Sequence, residues 1–303
     1  MPDSQLIRFD RFMESALYGP RGYYTSQRPI LGARGDFTTT PKLTTALAAR
    51  LAAWIIEAWK RQGQKLSVIE LGPGDGTLAR DVRKHLGFLN RRKLDYHLVE
   101  ISPHLCERQK NALDGKGHWH QTLEEALRTV GYQALIISNE FFDAFPVRIF
   151  RESGEELFLD KECRESWQAS SALPDSNLFK SPPQRFEVSE SIQEFYLDQL
   201  SQWTRGEMLA IDYGGDAEEI YHRRPLGTLR AYFQHQRLLP PEAYQNTGHQ
   251  DLTFDIHFPD LIRWGSQIGL ETKSLITQAE FLGTNDTEGA GTAFKVLHQI
   301  RKP

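Results

Sequence analysis

Cysteine is scarce. The 303-residue chain has two, Cys106 and Cys163, too few for a disulfide framework and in keeping with a reducing compartment. Long apolar runs are missing as well. The most apolar stretches, such as Ala134-Leu135-Ile136-Ile137, are strand length and far too short to span a bilayer. There is no excess of positive charge: 36 Lys+Arg against 40 Asp+Glu leaves −4. Without a basic field to hold phosphates, a general nucleic-acid binder is excluded. Met1-Pro2-Asp3-Ser4-Gln5 has neither a basic flank leading into an apolar run nor an Arg-rich transit pattern. Internal repeats and a Gly-x-Ser-x-Gly elbow are also lacking, which argues against a solenoid and a serine hydrolase. Together these absences predict a soluble, cytoplasmic protein with no membrane span.

Material for a core is ample, with 17 Phe, 10 Tyr and 6 Trp. The clearest order lies between Leu66 and Pro146. Leu66 to Leu71 reads as a buried strand, and Thr77 to Leu86 as a helix with Leu78, Val82 and Leu86 on one face. Tyr96 to Glu100 is a second strand. The helix Pro103 to Leu113 follows, with Ser102 as N-cap and Pro103 at its first position. His118 to His120 is a third strand, Thr122 opens a helix with Glu125 in capping-box position, and Ala134 to Ser138 is a fourth strand. This alternation predicts an α/β fold, a parallel sheet with helices on both faces.

Beyond that core, Leu43 to Trp59 and Ile192 to Trp203 read as helices, and Glu152 to Arg185 as an irregular or hairpin insertion. Met208 to Asp212, Leu252 to Phe258 and Ala293 to Ile300 read as the remaining strands. Residues 1–60 are expected as an N-terminal helical or lid segment and 61–150 as the cofactor-binding core. Residues 151–205 form the insertion, and 206–303 the rest of the sheet with substrate-side elements. The whole is expected to form one catalytic domain.

In such sheets ligands bind beyond the carboxyl ends of the strands. The first strand runs into Glu70-Leu71-Gly72-Pro73-Gly74-Asp75-Gly76-Thr77. Glycine at alternate positions lets a ligand approach the backbone, and Glu100, ending the second strand, can accept hydrogen bonds from two ribose hydroxyls. The spacing is one residue short of the nicotinamide fingerprint. Asp75 sits at the helix N-terminus, where a pyrophosphate would otherwise lie. S-adenosylmethionine (SAM) has no phosphate and carries two positive groups, which Glu70 suits, so SAM is the expected cofactor. Expected to touch it are Glu70, Gly72, Gly74, Gly76, Thr77, Glu100 and Ile101.

After the fourth strand come Asn139-Glu140-Phe141-Phe142-Asp143-Ala144-Phe145-Pro146. A polar pair followed by aromatics suits methyl transfer to nitrogen, in which much of the acceleration comes from holding the nucleophile in line. Asn139, Glu140 and Asp143 are the catalytic candidates, Asn139 also facing the cofactor. Phe141 and Phe142 serve either as stacking groups or as core. No metal site is expected: His118 and His120 point the same way along a strand, but no further cluster at ligand spacing backs them.

At these residues the chain resembles the MidA-like family of SAM-dependent protein arginine methyltransferases, whose mitochondrial members assist respiratory complex I assembly. The resemblance begins at Phe12 to Pro20, Gly22-Tyr23-Tyr24 and Gly35-Asp36-Phe37-Thr38. It continues through Glu70 to Leu78, Val99 to Pro103 and Ser138 to Val147, then Asp212-Tyr213-Gly214, Thr228 to Tyr232 and His235, closing at Asp251-Leu252-Thr253 and Glu280-Phe281-Leu282. It implies a Rossmann-like, seven-stranded methyltransferase sheet of order 3-2-1-4-5-7-6, with an N-terminal helical segment and inserted elements. It also implies SAM as donor, arginine of a partner protein (a respiratory-complex subunit among the candidates) as acceptor, and Gly35 and Asp36 in a loop that closes over the cofactor or the acceptor. A homo-oligomer is compatible with it. Three departures leave the cofactor residues in place: Lys42 stands where an acid is usual, Gly248-His249 where a Pro-Gly-type turn is usual, and the segment from Glu152 to Arg185 is short. Two alternatives stay open, methylation of a small amine or another side chain, and a SAM-binding assembly factor with little turnover.

Overall fold

The computed structural model describes residues 6–25, 41–234, 236–284 and 290–302. Its contacts divide the chain into two units whose segments alternate along the sequence. One holds Thr39–Phe141, Phe195–Asp212 and Ile262–Pro303, and the other Met1–Thr38, Phe142–Glu194 and Tyr213–Leu261. The segments cross the boundaries at 60, 150 and 205 expected from the sequence.

The first unit is built on seven strands: β1 Ser67–Leu71, β2 Tyr96–Val99, β3 His118–His120, β4 Gln133–Asn139, β5 Arg205–Gly215, β6 Glu271–Thr277 and β7 Phe294–Arg301. Their order across the sheet is 3-2-1-4-5-7-6. The pairs β1–β2, β1–β4, β2–β3 and β4–β5 are parallel, and β6–β7 is antiparallel. Helices α1 Pro41–Gln62, α2 Thr77–His85, α3 Pro103–Ala112 and α4 Leu123–Thr129 supply the crossovers and cover the faces. Leu51, Ile55 and Trp59 of α1 pack with Val82 of α2 and Val68, Leu135 and Ile137 of the strands. Burial on both faces is why β4 reads as an unbroken apolar run from Ala134 to Ile137.

Helix starts follow local chemistry. Ser102 Oγ accepts the Leu105 N–H, with Pro103 in the first turn. Thr122 Oγ1 accepts the Glu125 N–H, while the Glu125 carboxylate bonds the Gln121 N–H, one residue before the usual capping-box partner. Ile192 to Trp203 is helical in three short pieces, one of them a π-turn over Phe195–Gln199.

The second unit carries an antiparallel five-stranded sheet, which includes the hairpin Glu155–Leu159 and Glu165–Ala169, and a three-stranded sheet around Arg230–Phe233. Within the expected insertion, the segment from Glu155 to Ala169 forms a hairpin. The expected strand over Leu252 to Phe258 is corrected. Only Asp251–Thr253 and Ile256–His257 are extended, the first in the small sheet and the second beside the end of β5. The sixth core strand is Glu271–Thr277. The resemblance-bearing residues of this unit join one another: Tyr24 Oη donates to Asp251 Oδ1 at 3.0 Å and Thr253 Oγ1 to Asp143 Oδ2 at 2.7 Å. Thr228 and Leu229 donate backbone N–H groups to the buried Glu187, and Arg230 pairs with Asp255 at 2.6 Å. Gly248, at φ +75°, keeps the turn before Asp251, where a Cβ would collide with the Arg21 carbonyl. Among the described residues no helix is long and apolar enough to cross a membrane.

Candidate active site

The parallel strands β1, β2 and β4 end side by side, with Leu71 paired to Val99 on one flank and to Ser138 on the other. Gly72, Glu100 and Asn139 thus leave neighbouring strands at one edge of the sheet. Gly72, Gly74 and Gly76 all have positive φ, +60°, +55° and +81°, a region that favours glycine. Two of them are also required by packing. A Cβ on Gly72 would meet the Phe141 ring at 2.8 Å, and one on Gly76 the Gln109 Cα at 3.0 Å. Phe141 is therefore a wall of the glycine turn, with its ring against Phe195 at 5.6 Å.

Asp75 closes the N-terminus of α2 itself, accepting the Thr77 N–H at 2.9 Å. A carboxylate in that place repels a phosphate. Glu70 is 2% exposed and accepts the Tyr96 hydroxyl at 2.7 Å. Burial pushes its pKa up to about 7 despite that bond, with Asp75 adding to the rise.

Glu100 is almost as buried. Its Oε1 accepts the Ser102 N–H at 2.8 Å and its Oε2 the Gln109 side-chain amide at 3.2 Å. Burial also raises its pKa to about 7, against the lowering effect of those bonds. An ionised carboxylate has about four acceptor positions, so with the Ile101 N–H also directed at it room is left for a ligand's hydroxyl. Beside it opens a cleft of about 340 Å³, lined among others by Glu100, Ile101, Cys106, Trp119, His120 and Gln121. Ile101, half exposed, is an apolar wall of this cleft.

Gln109 was not among the expected site residues, yet it organises the region. It donates to the Gly74 carbonyl at 2.8 Å as well as to Glu100, and accepts the Trp119 indole N–H at 3.0 Å. A glutamine inside a helix carries no local signal of this role, which depends on three segments meeting. Trp119 lies inside β3 and Gln121 just after it, so both stand near the carboxyl end of the third strand.

Across the edge, Asn139 Nδ2 donates to Glu140 Oε1 at 3.2 Å, and the Glu140 backbone N–H donates to the Ile211 carbonyl at 2.9 Å. Glu140 has φ +51°, a conformation disfavoured for a residue with a Cβ and concentrated at functional sites. Phe142 and Asp143 belong to the second unit. Phe142 is fully buried core, and Asp143 is buried with Thr253 as partner. Gly35 and Asp36 lie outside the described residues.

The sheet order, the glycine turn after β1 and the acid after β2 define a Rossmann-like methyltransferase fold. A family model described as "Putative S-adenosyl-L-methionine-dependent methyltransferase" matches residues 50–276, about three quarters of the chain, and the chain belongs to that family. Among curated relatives it is similar to three mitochondrial proteins named protein arginine methyltransferase NDUFAF7 or its homolog. Identity is 30% with that of Mus musculus (85% of this chain, 66% of the relative) and 29% with that of Homo sapiens (85% and 65%). With that of Drosophila melanogaster it is 28% (82% and 64%). The chain thus spans 64–66% of the length of these relatives. Two solved structures from Burkholderia thailandensis share its fold. One, solved bound to S-adenosyl-homocysteine, superposes with TM-score 0.82 at 24% identity over 98% of this chain and 88% of that one. The other gives TM-score 0.78 at 23% identity over 98% and 87%. The expected cytoplasmic location is overturned, because these curated relatives are mitochondrial by name.

Proposed function

We propose that this chain transfers the methyl group of SAM to arginine nitrogen of a protein. The observation that carries the reading is Glu100, a nearly buried carboxylate with acceptor capacity to spare, set between the glycine turn and a cleft that has Ile101 and Trp119 in its wall. These residues fit SAM. Glu100 would accept a ribose hydroxyl, Ile101 and Trp119 would flank the base, and Gly72 and Gly74 would admit the methionine part. Glu70 would lie on the side of the positive groups. Asp75 and Thr77 are already engaged with each other, which supports a ligand without phosphate.

When bound, SAM supplies an electrophilic methyl group on a sulfonium. This chain's residues do the rest. An arginine side chain is protonated at any working pH. Glu140 would fix the guanidinium by charge-assisted hydrogen bonds and take up the proton released as the N–C bond forms. Asn139, already bonded to Glu140, would hold that carboxylate in place, and Phe141 would exclude water from one side. Asp143, committed to Thr253, serves the frame of the second unit in this reading. The curated names of the relatives support arginine as acceptor.

The test is incubation of a lysate lacking this chain with purified protein and methyl-labelled SAM, followed by mass spectrometry of arginine methylation. Label on arginine that disappears with Glu140→Gln supports the proposal. Label on small amines only, or undiminished label with Glu140→Gln, overturns the acceptor assignment.

A further inference from the structure

Three histidines stack along β2 and β3. The His97 ring lies 4.8 Å from that of His118 and 5.1 Å from that of His120. From the sequence, His118 and His120 are a lone pair. The fold adds His97, paired with His118 across the parallel strands, and Asp95, which leads into β2. Asp95 Oδ2 lies 3.0 Å from His97 Nε2, and Asp95 Oδ1 lies 3.3 Å from His118 Nε2. One ligand atom from each of the three residues lies within 4.8 Å of the others.

His97 is 1% exposed, and its Nε2 stands without a hydrogen-bond partner although Asp95 Oδ2 is 3.0 Å away. Its Nδ1 stands 2.9 Å from His120 Nε2. If Nδ1 carries the proton and donates to His120, the lone pair of Nε2 faces a carboxylate. If Nε2 carries it, the N–H is left without a hydrogen-bond partner. A cation shared by Nε2 and Asp95 removes the deficit in the first case, and that tautomer is the one a metal requires.

We propose that Asp95, His97 and His118 form a site for a divalent first-row transition ion, zinc above all, oriented by Ser67 and His120. Two imidazoles and a carboxylate are ligands of the right hardness for zinc. Bonds of about 2.0–2.1 Å in tetrahedral geometry place ligand atoms about 3.3 Å apart, close to the separations from Asp95. The widest separation, up to 4.8 Å, would have to close by movement of the exposed His118 ring. The outer partners are also present: Ser67 Oγ donates to Asp95 Oδ2 at 2.7 Å, and His120 takes the far nitrogen of His97. Asp95 and His118 are both exposed, so water reaches the fourth position. The ion would tie the entry of β2 to the three-residue edge strand β3. Asp95 is roughly 16 Å along the strand from Glu100, so the ion would stand outside the cofactor cleft.

Purified full-length protein, stripped with chelator and dialysed, is titrated with zinc chloride by calorimetry and melted with and without the metal. One zinc per chain and a raised melting temperature are expected. His118→Ala and Asp95→Ala, both at exposed positions and checked for fold by circular dichroism, should each weaken binding at least about tenfold. The exposed His222→Ala should leave it unchanged. Wild-type protein that takes up no zinc overturns the proposal, as does uptake that survives both His118→Ala and Asp95→Ala.

Discussion

Gln109 Nε2 donates to Glu100 Oε2 at 3.2 Å, and the same side chain holds the Gly74 carbonyl at 2.8 Å. One amide thus sets the spacing between the acid after β2 and the glycine turn after β1. Gln109→Leu leaves the Trp119 indole and the Gly74 carbonyl without their partner and Glu100 with one bond fewer. The variant should lose about 1–3 kcal/mol of stability and bind SAM about tenfold more weakly. Urea unfolding and calorimetry give both numbers, and a loss of stability without a loss of affinity would reduce Gln109 to a structural role.

Glu100 also fixes a pH dependence. Its pKa is raised by burial to about 7 in the folded chain and is ordinary when unfolded. Between about pH 4.5 and 7 the folded state therefore holds the extra proton, and Glu100 lowers stability as pH rises through that window. Relative to wild type, Glu100→Gln should gain stability from pH 4.5 to 7, by up to about 3 kcal/mol, and level off above. SAM affinity should move the other way in the wild type and rise through pH 7, since the ionised carboxylate is the better acceptor for hydroxyls. Thermal melts and SAM titrations at stepped pH would show both trends, and a flat affinity profile would contradict the role of Glu100.

The glycine turn separates two causes of glycine choice. Gly76 (φ +81°) has Gln109 at its back, whereas Gly63 (φ +70°) has nothing within 4 Å of a built Cβ. Gly63→Ala should cost about 1 kcal/mol for conformation alone. Gly76→Ala should cost about 1–2 kcal/mol more, because α3 must shift. Equal costs would mean that α3 gives way freely.

Much of this fold is legible in the sequence because its causes are local. Val68, Ile69 and Leu71 mark a strand buried on both faces, and Ser102-Pro103 and Thr122-Leu123-Glu124-Glu125 mark helix starts that the side chains make. The strand Glu271–Thr277 carries little signal in the sequence, because it is half exposed and has little apolar density. Leu252 to Phe258 is more apolar yet splits between two pairings. Among the candidate site residues, the glycines, Glu100 and Glu140 stand after strands and Glu70 lies near the end of one, and those positions single them out in the sequence. Gln109 and the Asp95–His97–His118 cluster are not legible there, since each depends on segments brought together by strand order. Asp143, a catalytic candidate from the sequence, accepts the hydroxyl of Thr253 110 residues away, a contact no local pattern reveals.

The central claim is that cofactor and acceptor are served by different carboxylates, Glu100 and Glu140. The most direct measurement is SAM titration calorimetry on wild type, Glu100→Ala and Glu140→Gln, with turnover of labelled SAM followed on the same samples. The account predicts one site per chain in wild type and binding weaker by about 1–3 kcal/mol in Glu100→Ala. It predicts unchanged affinity in Glu140→Gln, with turnover down by about 10²–10⁴. Full SAM affinity in Glu100→Ala, or affinity lost in Glu140→Gln while turnover persists, would contradict it.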